Sequence, residues 1–308
     1  MPRISIILCT RNPRADYLEA VLAALRQQTL EPSAWELIVI DSASDRPLAS
    51  QVDLVWHPAA RVIRLDQPGL TPARLAGFAA AKADLLLMVD DDNVLAPDYL
   101  AEAVRIGEAC PWVGAWGGNV CLVFEQSPPD WLERYRGLLA ERTFDRVYWS
   151  NDYLNAKVPC GAGMVLRRAV AQAYQQRTLA DPARQALDRS GDSLLSDGDT
   201  DLALTACDVG LGVGAFPSLT LQHLIPARRL TLEYINNLHA AMITSGLTLR
   251  ALRPATRGEV DAPEGLVTRL RWWGQWARAS REDRVIQTTG REAREEALKR
   301  LRERGLIS

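Results

Sequence analysis

The segment Leu85-Leu86-Leu87-Met88-Val89 is apolar throughout and runs without a break into Asp90-Asp91-Asp92-Asn93. A run this short and this apolar reads as a strand buried on both faces, the kind found in parallel sheets covered by helices. Two earlier segments repeat the pattern. Residues 4–9 end in Thr10-Arg11-Asn12-Pro13, and residues 35–40 end in Asp41-Ser42-Ala43-Ser44-Asp45. Residues 62–65 form a further short strand. Between these runs, Leu18, Val21, Leu22 and Leu25 recur at helical spacing within 16–28, and 72–83 is rich in alanine. Strands alternating with helices predict an α/β fold with a mostly parallel central sheet flanked by helices. Ligands of such sheets bind beyond the carboxyl ends of the strands. The polar clusters therefore gather along one edge, which locates the site.

Beyond residue 100 the pattern loosens. Residues 112–124 read as strands joined by Gly117 and Gly118, 131–139 as a helix, and 158–166 as a strand. The polar stretch 178–196 reads as a mobile loop. A helix at 200–206 and a last strand at 215–223 follow. From residue 230 the strand signal stops, and 231–245, 266–280 and 291–304 read as helices.

Composition removes several classes of function. A net charge of −2 and a pI near 6.0 argue against a nucleic-acid partner. No apolar run reaches the ~18 residues of a spanning helix, and no basic-then-apolar leader opens the chain, so a cytoplasmic protein is expected. The five cysteines include no C-x-x-C pair, which argues against a zinc site or a disulfide framework. No G-x-G-x-x-G follows the first strand and no phosphate loop is present, against dinucleotide oxidoreduction. The first loop, 10–13, lacks the glycines of a sugar-phosphate nucleotidyltransferase.

Three adjacent carboxylates raise one another's pKa, and a divalent cation relieves that cost. Mg²⁺ and Mn²⁺ prefer oxygen ligands, often one or two carboxylates plus substrate phosphates. Side chains alternate in an extended segment, so Asp90 and Asp92 are expected to face one way. The plainer reading is an acidic loop favouring the positive end of a helix near Ala96. A second acid cluster, Asp197-Gly198-Asp199-Thr200-Asp201, opens the helix at 200–206. An N-cap needs one acid, so this cluster exceeds what capping requires and offers candidates for a general base.

At these residues the chain resembles family 2 glycosyltransferases, which have the nucleotide-binding GT-A fold. Four segments carry the likeness in order. Residues 4–12 resemble the opening strand and its Thr-Tyr-Asn turn. Residues 36–45 resemble the second strand with its Asp-Asp-Gly-Ser segment. Pro72-Ala73-Arg74-Leu75-Ala76-Gly77 resembles the Ala-Arg-Asn-x-Gly helix start, and Val89-Asp90-Asp91-Asp92-Asn93 the Asp-x-Asp motif. The resemblance implies a sugar transferred from a nucleoside-diphosphate donor, UDP-sugar favoured, to a glycan or lipid-linked acceptor hydroxyl. Inversion at the anomeric carbon and Mn²⁺ or Mg²⁺ as cofactor are also implied.

By the same resemblance, Thr10, Asn12 and Asp41 line the nucleoside pocket, with Asp41 reading the base. Arg11 stands beside them where the family has an aromatic. Arg74 lies near the base or phosphates. Asp90, with Asp91, contacts the donor's ribose or sugar, and Asp92 holds the metal. Asp199 matches the general base of a Glu-Asp-x-x-Leu segment, with Asp201 and Asp197 as alternatives, although Gly198 replaces the Glu. His223, ending the last strand, is a metal or phosphate ligand, and Arg228 and Arg229 are candidate diphosphate donors. Cys160-Gly161-Ala162-Gly163-Met164 resembles the small-residue segment on the acceptor side, where Gly161, Ala162 and Gly163 let substrate approach the backbone. Residues 1–100 would be the nucleotide-sugar half, 101–229 the acceptor and catalytic half, and 230–308 a helical C-terminal extension.

In that extension Leu266, Leu270, Trp273 and Ala277 form one stripe with Trp272 and Trp276 beside it and Arg269, Arg271, Arg278 and Arg281 around it. Such a helix packs on the core or a second subunit, or lies at a membrane interface. A homo-oligomer and peripheral membrane contact thus both stay open. A degenerate transferase that binds sugar nucleotide without turnover is the non-enzymatic alternative, supported by Gly198.

Overall fold

The structure, a computed structural model, describes residues 1–153, 158–189, 193–261 and 265–308. Its first half is built as the sequence predicts. Strands β1 (Ile4–Thr10), β2 (Trp35–Ser42), β3 (Ala60–Leu65) and β4 (Leu85–Asp90) pair in parallel in the order β3-β2-β1-β4. Helices α1 (Ala15–Arg26) and α2 (Leu70–Ala80) form the crossovers. Alternate residues of β1 feed two cores. Ile4, Ile6 and Leu8 pack with Leu18, Leu22 and Leu25 of α1, while Ile7 and Cys9 pack with Ala73 and Phe78 of α2. Burial on both faces is why the strand is apolar at successive positions. Each such side chain contributes ~1.5–3 kcal/mol when taken out of water.

The second half reverses direction. A very short β5 (Asn93–Leu95) precedes α3 (Tyr99–Ala109) and β6 (Val113–Phe124). Strands β7 (Tyr148–Ser150) and β8 (Val165–Arg167) lead to helices α4 (Arg168–Ala180), α5 (Pro182–Gln185) and α6 (Gly198–Asp208), then to β9 (Gly212–Ile225). The nine-stranded sheet continues β4-β8-β6-β9-β5, with β7 on β9. Here β8 is antiparallel to both neighbours, β6 and β9 are parallel, and β5 and β7 run antiparallel to β9. The parallel order predicted from the first strands thus stops at β4.

Several local expectations change. Where strands were expected over 112–124, one strand, Val113–Phe124, forms, because an irregularity between Gly117 and Asn119 absorbs the glycines without ending the ladder. The strand expected at 158–166 is confined to Val165–Arg167, and the glycine segment before it is a loop. The 131–139 helix is a 3₁₀ helix, Asp130–Leu139. In the polar stretch 178–196, α4 continues to Ala180 and α5 follows, capped by the Asp181 side chain. Leu187 is then buried, and only 190–192 of that stretch lie outside the described residues.

Four further helices complete the chain: α7 (Leu232–Leu252), α8 (Pro254–Asp261), α9 (Leu266–Arg278) and α10 (Arg281–Glu303). Thr231 and Ser280 cap α7 and α10 with their hydroxyls. Among the described residues, no helix is long and apolar enough to cross a membrane. The tryptophans of α9 turn toward α10: Trp276 Nε1 donates to Thr288 Oγ1 at 3.1 Å, and the Arg291 guanidinium lies 4.6 Å from the Trp272 ring. Trp273 remains exposed. Leu266, Arg269 and Leu270 of the expected stripe lie outside the residues whose side chains are described.

Asp201 shows what joins this extension to the sheet. It is 1% exposed, and Arg184 Nη1 donates to both its oxygens at 2.6 Å. Arg253, following α7, donates to Asp201 Oδ1 from Nη2 at 2.6 Å and from Nε at 3.0 Å. Arg253 also pairs with Asp208 at 3.1 Å. Removing Asp201 leaves buried Arg253 with Asp208 alone and takes from Arg184 its close carboxylate, so Asp201→Ala should cost about 3–5 kcal/mol of unfolding free energy. Urea denaturation measures this, and a loss below ~1 kcal/mol would show that the network does not hold the extension.

Candidate active site

The acid cluster is shaped by where the chain goes after β4. It turns at Asp91 and Asp92 and re-enters the sheet as β5, far from β4, where Asn93 lies opposite His223 of β9. The Asn93 amide clips this turn: its oxygen accepts from the Asp90 backbone N–H at 3.2 Å, and its nitrogen donates to Asp92 Oδ1 at 2.9 Å. The three carboxylates are therefore separated by a turn rather than by strand alternation. Asp91 accepts a hydrogen bond from the Thr10 hydroxyl at the end of β1. Asp92 is directed to the end of β9, where Leu224 N–H donates to its backbone carbonyl at 2.9 Å. No side-chain hydrogen bond to Asp90 occurs among the described residues. Burial, and then the charge of Asp92, raise the Asp90 carboxyl above its ordinary range.

Asp92 meets His223 and Arg229. Asp92 Oδ2 lies 3.4 Å from His223 Nε2 and 3.1 Å from Arg229 Nη1, and Arg229 Nη1 is 3.4 Å from His223 Nε2. His223 Nδ1 lies 2.9 Å from the Leu139 carbonyl, which can only accept, so Nδ1 carries a proton and Nε2 is the nitrogen turned toward Asp92 and Arg229. Burial would raise the Asp92 carboxyl, but His223 and Arg229 outweigh it and hold it at about 2. One carboxylate oxygen and one imidazole nitrogen thus face a single cation, here a guanidinium. With Asp90 next to them, this donor set suits Mn²⁺ or Mg²⁺. Among the described residues no preassembled group of three or more acidic, Cys or His ligands exists.

The second acid cluster faces the first across Arg74. Asp199, at the start of α6, accepts from the Gly161 N–H at 2.6 Å and from the Thr200 N–H at 2.8 Å. Gly161 belongs to a loop stitched to β4: Met88 N–H donates to the Met164 carbonyl at 2.9 Å, and Gly163 N–H to the Met88 carbonyl at 3.1 Å. A Cβ added to Gly161 would stand 3.0 Å from an Arg74 nitrogen and 3.1 Å from an Asp199 oxygen. Arg74 is buried. Burial opposes its charge, but Asp188, Asp199 and Asp90 together overcome this and raise its pKa. Burial raises the Asp199 carboxyl, with Asp188 adding to the rise and Arg74 opposing it.

The other candidates are placed differently. Asp41 is fully buried and its oxygens are already engaged by Ser44 N–H, Leu48 N–H and Arg64 Nη1. Asn12, at φ 50°, and Ser44 bridge the loops after β1 and β2: Asn12 N–H donates to Ser44 Oγ at 2.9 Å, and Asp45 N–H to Asn12 Oδ1 at 2.9 Å. Arg11 is exposed. Asp201 is closed off as a base by its two arginines. Asp197 receives the Ser245 hydroxyl of α7, and burial pushes its carboxyl up to about 6. Ala162 is buried, and Gly163, at φ +71°, is required by the turn itself, since a Cβ there would meet Tyr99 and Leu221 at 2.5 Å. Of the small-residue segment, Gly161 alone opens onto Asp199. Sequence reasoning missed Asp188, which no motif marks, and the ring-orienting Leu139 carbonyl.

The sequence profile of glycosyl transferase family 2 matches residues 5–175, more than half the chain. The protein belongs to that family. Over 106 residues it is 26% identical to the putative glycosyltransferase EpsH of Bacillus subtilis, covering 34% of this chain and 30% of that one. Over 137 residues it is 27% identical to an N-acetylglucosaminyltransferase of Bradyrhizobium elkanii, covering 44% and 74%. The match thus spans under a third of EpsH. The crystal structure of S. aureus TarS 1-349 in complex with UDP aligns with a TM-score of 0.53 over 99% of this chain and 92% of that one, at 14% identity, a likeness of fold.

In this family 2 member, the acid cluster costs stability when its charges have no cation. Burial, followed by Asp92, pushes the Asp91 carboxyl up to about 7. A carboxyl raised in the folded state stabilises the fold most at acid pH, and that contribution is lost as pH rises through about 7. In chelator-treated protein, Asp91→Asn should therefore raise the melting temperature at pH 8 by ~2–4 °C and leave it little changed at pH 4. Thermal scans across this range test it, and equal shifts at both pH values would show that Asp91 charge is not the cause.

Proposed function

We propose that the protein transfers a sugar from a nucleoside-diphosphate donor to an acceptor hydroxyl with inversion, assisted by a divalent cation. The observation that carries this reading is Arg74, a buried cation that feels Asp90 of the β4 turn and Asp199 of α6 together. The two acid clusters thereby form one site at the carboxyl end of β4. Family membership supports the reaction class, and the UDP complex of TarS supports UDP as the donor nucleotide. A glycan or lipid-linked acceptor fits the bacterial relatives named as a succinoglycan biosynthesis protein and an N-acetylglucosaminyltransferase. A nucleotide-sugar donor suits a cytoplasmic site of action.

Asp199 is the general base. Its carboxylate accepts the acceptor hydroxyl proton while the acceptor oxygen bonds to the anomeric carbon. The bond from that carbon to the diphosphate breaks with its electron pair on the diphosphate. A single displacement by one base inverts the centre, and the raised Asp199 carboxyl suits proton acceptance nearer neutral pH. Asp92 and His223 Nε2, with Asp90 adjacent, are the groups that would hold Mn²⁺ or Mg²⁺. A divalent ion held there would neutralise charge on the leaving diphosphate. Arg229, which lies 3.1 Å from Asp92, is placed to donate to phosphate oxygens.

Incubation with UDP-sugars and Mn²⁺ should release UDP. Asp199→Asn should lower turnover ~10²–10⁴-fold while UDP affinity stays within a few-fold. Asp92→Ala should abolish the Mn²⁺-dependence of UDP binding in calorimetry. Normal turnover by Asp199→Asn would refute the base assignment. UDP binding that never responds to Mn²⁺ would favour Arg229 as the resident cation and a metal-independent transfer.

A further inference from the structure

Gly198 stands in the middle of the second acid cluster, where the resembled segment carries a glutamate. A Cβ built on Gly198 would lie 2.3 Å from the Asp188 carboxyl carbon and 2.3 and 2.4 Å from its two oxygens. The space in front of position 198 is thus filled by the carboxylate of a residue ten positions earlier. Any side chain at 198 would have to displace it.

Asp188 is well placed to act there. It is 4% exposed. Its Oδ2 accepts from Thr71 Oγ1 at 2.9 Å and from Arg74 Nη1 at 3.0 Å, two donors one turn apart on α2. Backbone bonds hold its segment against both helices: Leu70 N–H donates to the Arg189 carbonyl at 3.2 Å, and Asp197 N–H to the Leu187 carbonyl at 3.2 Å. Asp188 therefore bridges the first turns of α2 and α6, where the helix dipoles favour a negative charge.

Arg74 has two acids within its field on this side, Asp188 and Asp199, but its direct ion pair is with Asp188. Asp199 is left to accept only backbone N–H groups. We propose that Asp188 is a positioning residue, supplying from another part of the chain the carboxylate that Gly198 lacks. It holds Arg74 back from Asp199 and so keeps the Asp199 carboxylate open to the acceptor. This rests on Asp199 being the base, and it explains how the chain keeps a working site without an acid at 198. Glycine at 198 and aspartate at 188 are then one arrangement, and neither works alone.

The test uses the whole chain in four forms: unchanged, Asp188→Ala, Gly198→Glu, and the two together. UDP release from UDP-N-acetylglucosamine with Mn²⁺ is measured beside UDP affinity and crystal structures. Asp188→Ala should lower kcat at least tenfold with UDP affinity within about threefold, and its crystal structure should show Arg74 paired with Asp199. Gly198→Glu alone should be impaired, because two carboxylates compete for one space. The double variant should recover most of the lost kcat, with the introduced carboxylate on Arg74. Asp188→Asn keeps the shape without the charge and should resemble Asp188→Ala. The proposal is overturned if Arg74 stays in place in the Asp188→Ala crystal, a readout that needs no turnover. It is equally overturned if the double variant folds but is no better than Asp188→Ala. Turnover by Asp199→Asn would remove the base assignment, while the Arg74 displacement would still report on Asp188.

Discussion

Crowded negative charge beside too few cations is the constraint around which this molecule is arranged. Asp90, Asp91, Asp92, Asp188 and Asp199 all lie near the carboxyl end of β4 and are largely removed from water. Buried carboxylates are tolerated only when paired, hydrogen-bonded or protonated. Each solution is used here: Asp92 has Arg229 and His223, Asp188 has Arg74 and Thr71, Asp199 has backbone N–H groups, and Asp91 has the Thr10 hydroxyl with a raised pKa. Asp90 has only the electrostatic reach of its neighbours.

The sheet makes the crowding possible. Parallel strands β1, β2 and β4 deliver their polar ends to one edge, and the antiparallel pairing of β5 with β9 carries His223 to Asp92 across 131 positions of sequence. The loop stitched to β4 brings Gly161 to Asp199, and α6 and α2 meet at Asp188. The acid clusters are thus brought together from separate segments of the chain.

The first half of the sheet was legible in the sequence because its strands are buried on both faces, which writes the burial directly into consecutive apolar residues. The ends of those strands announced themselves as polar clusters, so the place where Asp90–Asp92 gather could be read from the sequence. What was not legible depends on distant pairing. The engagement of Asp41 by its own turn and by Arg64 from β3 could not be read from the sequence. Asp201 looked equivalent to Asp199 two residues away, but the helix turns it to the opposite side, into two arginines. Asp188 carried no motif, because its role comes from a space that a glycine leaves ten residues later.

The pairing of Asp201 with Arg253 also bears on how such a chain can be shortened or rebuilt. The residue two positions after the proposed base is neutralised by an arginine that follows α7, so the frame of the transfer site reaches well past the last strand. Ser245 of α7, bonded to Asp197, strengthens the same link. A fragment ending at β9 would keep every strand of the sheet and still lose the clamp that fixes the first turn of α6. Grafting α6 into another scaffold would likewise require its arginine to travel with it.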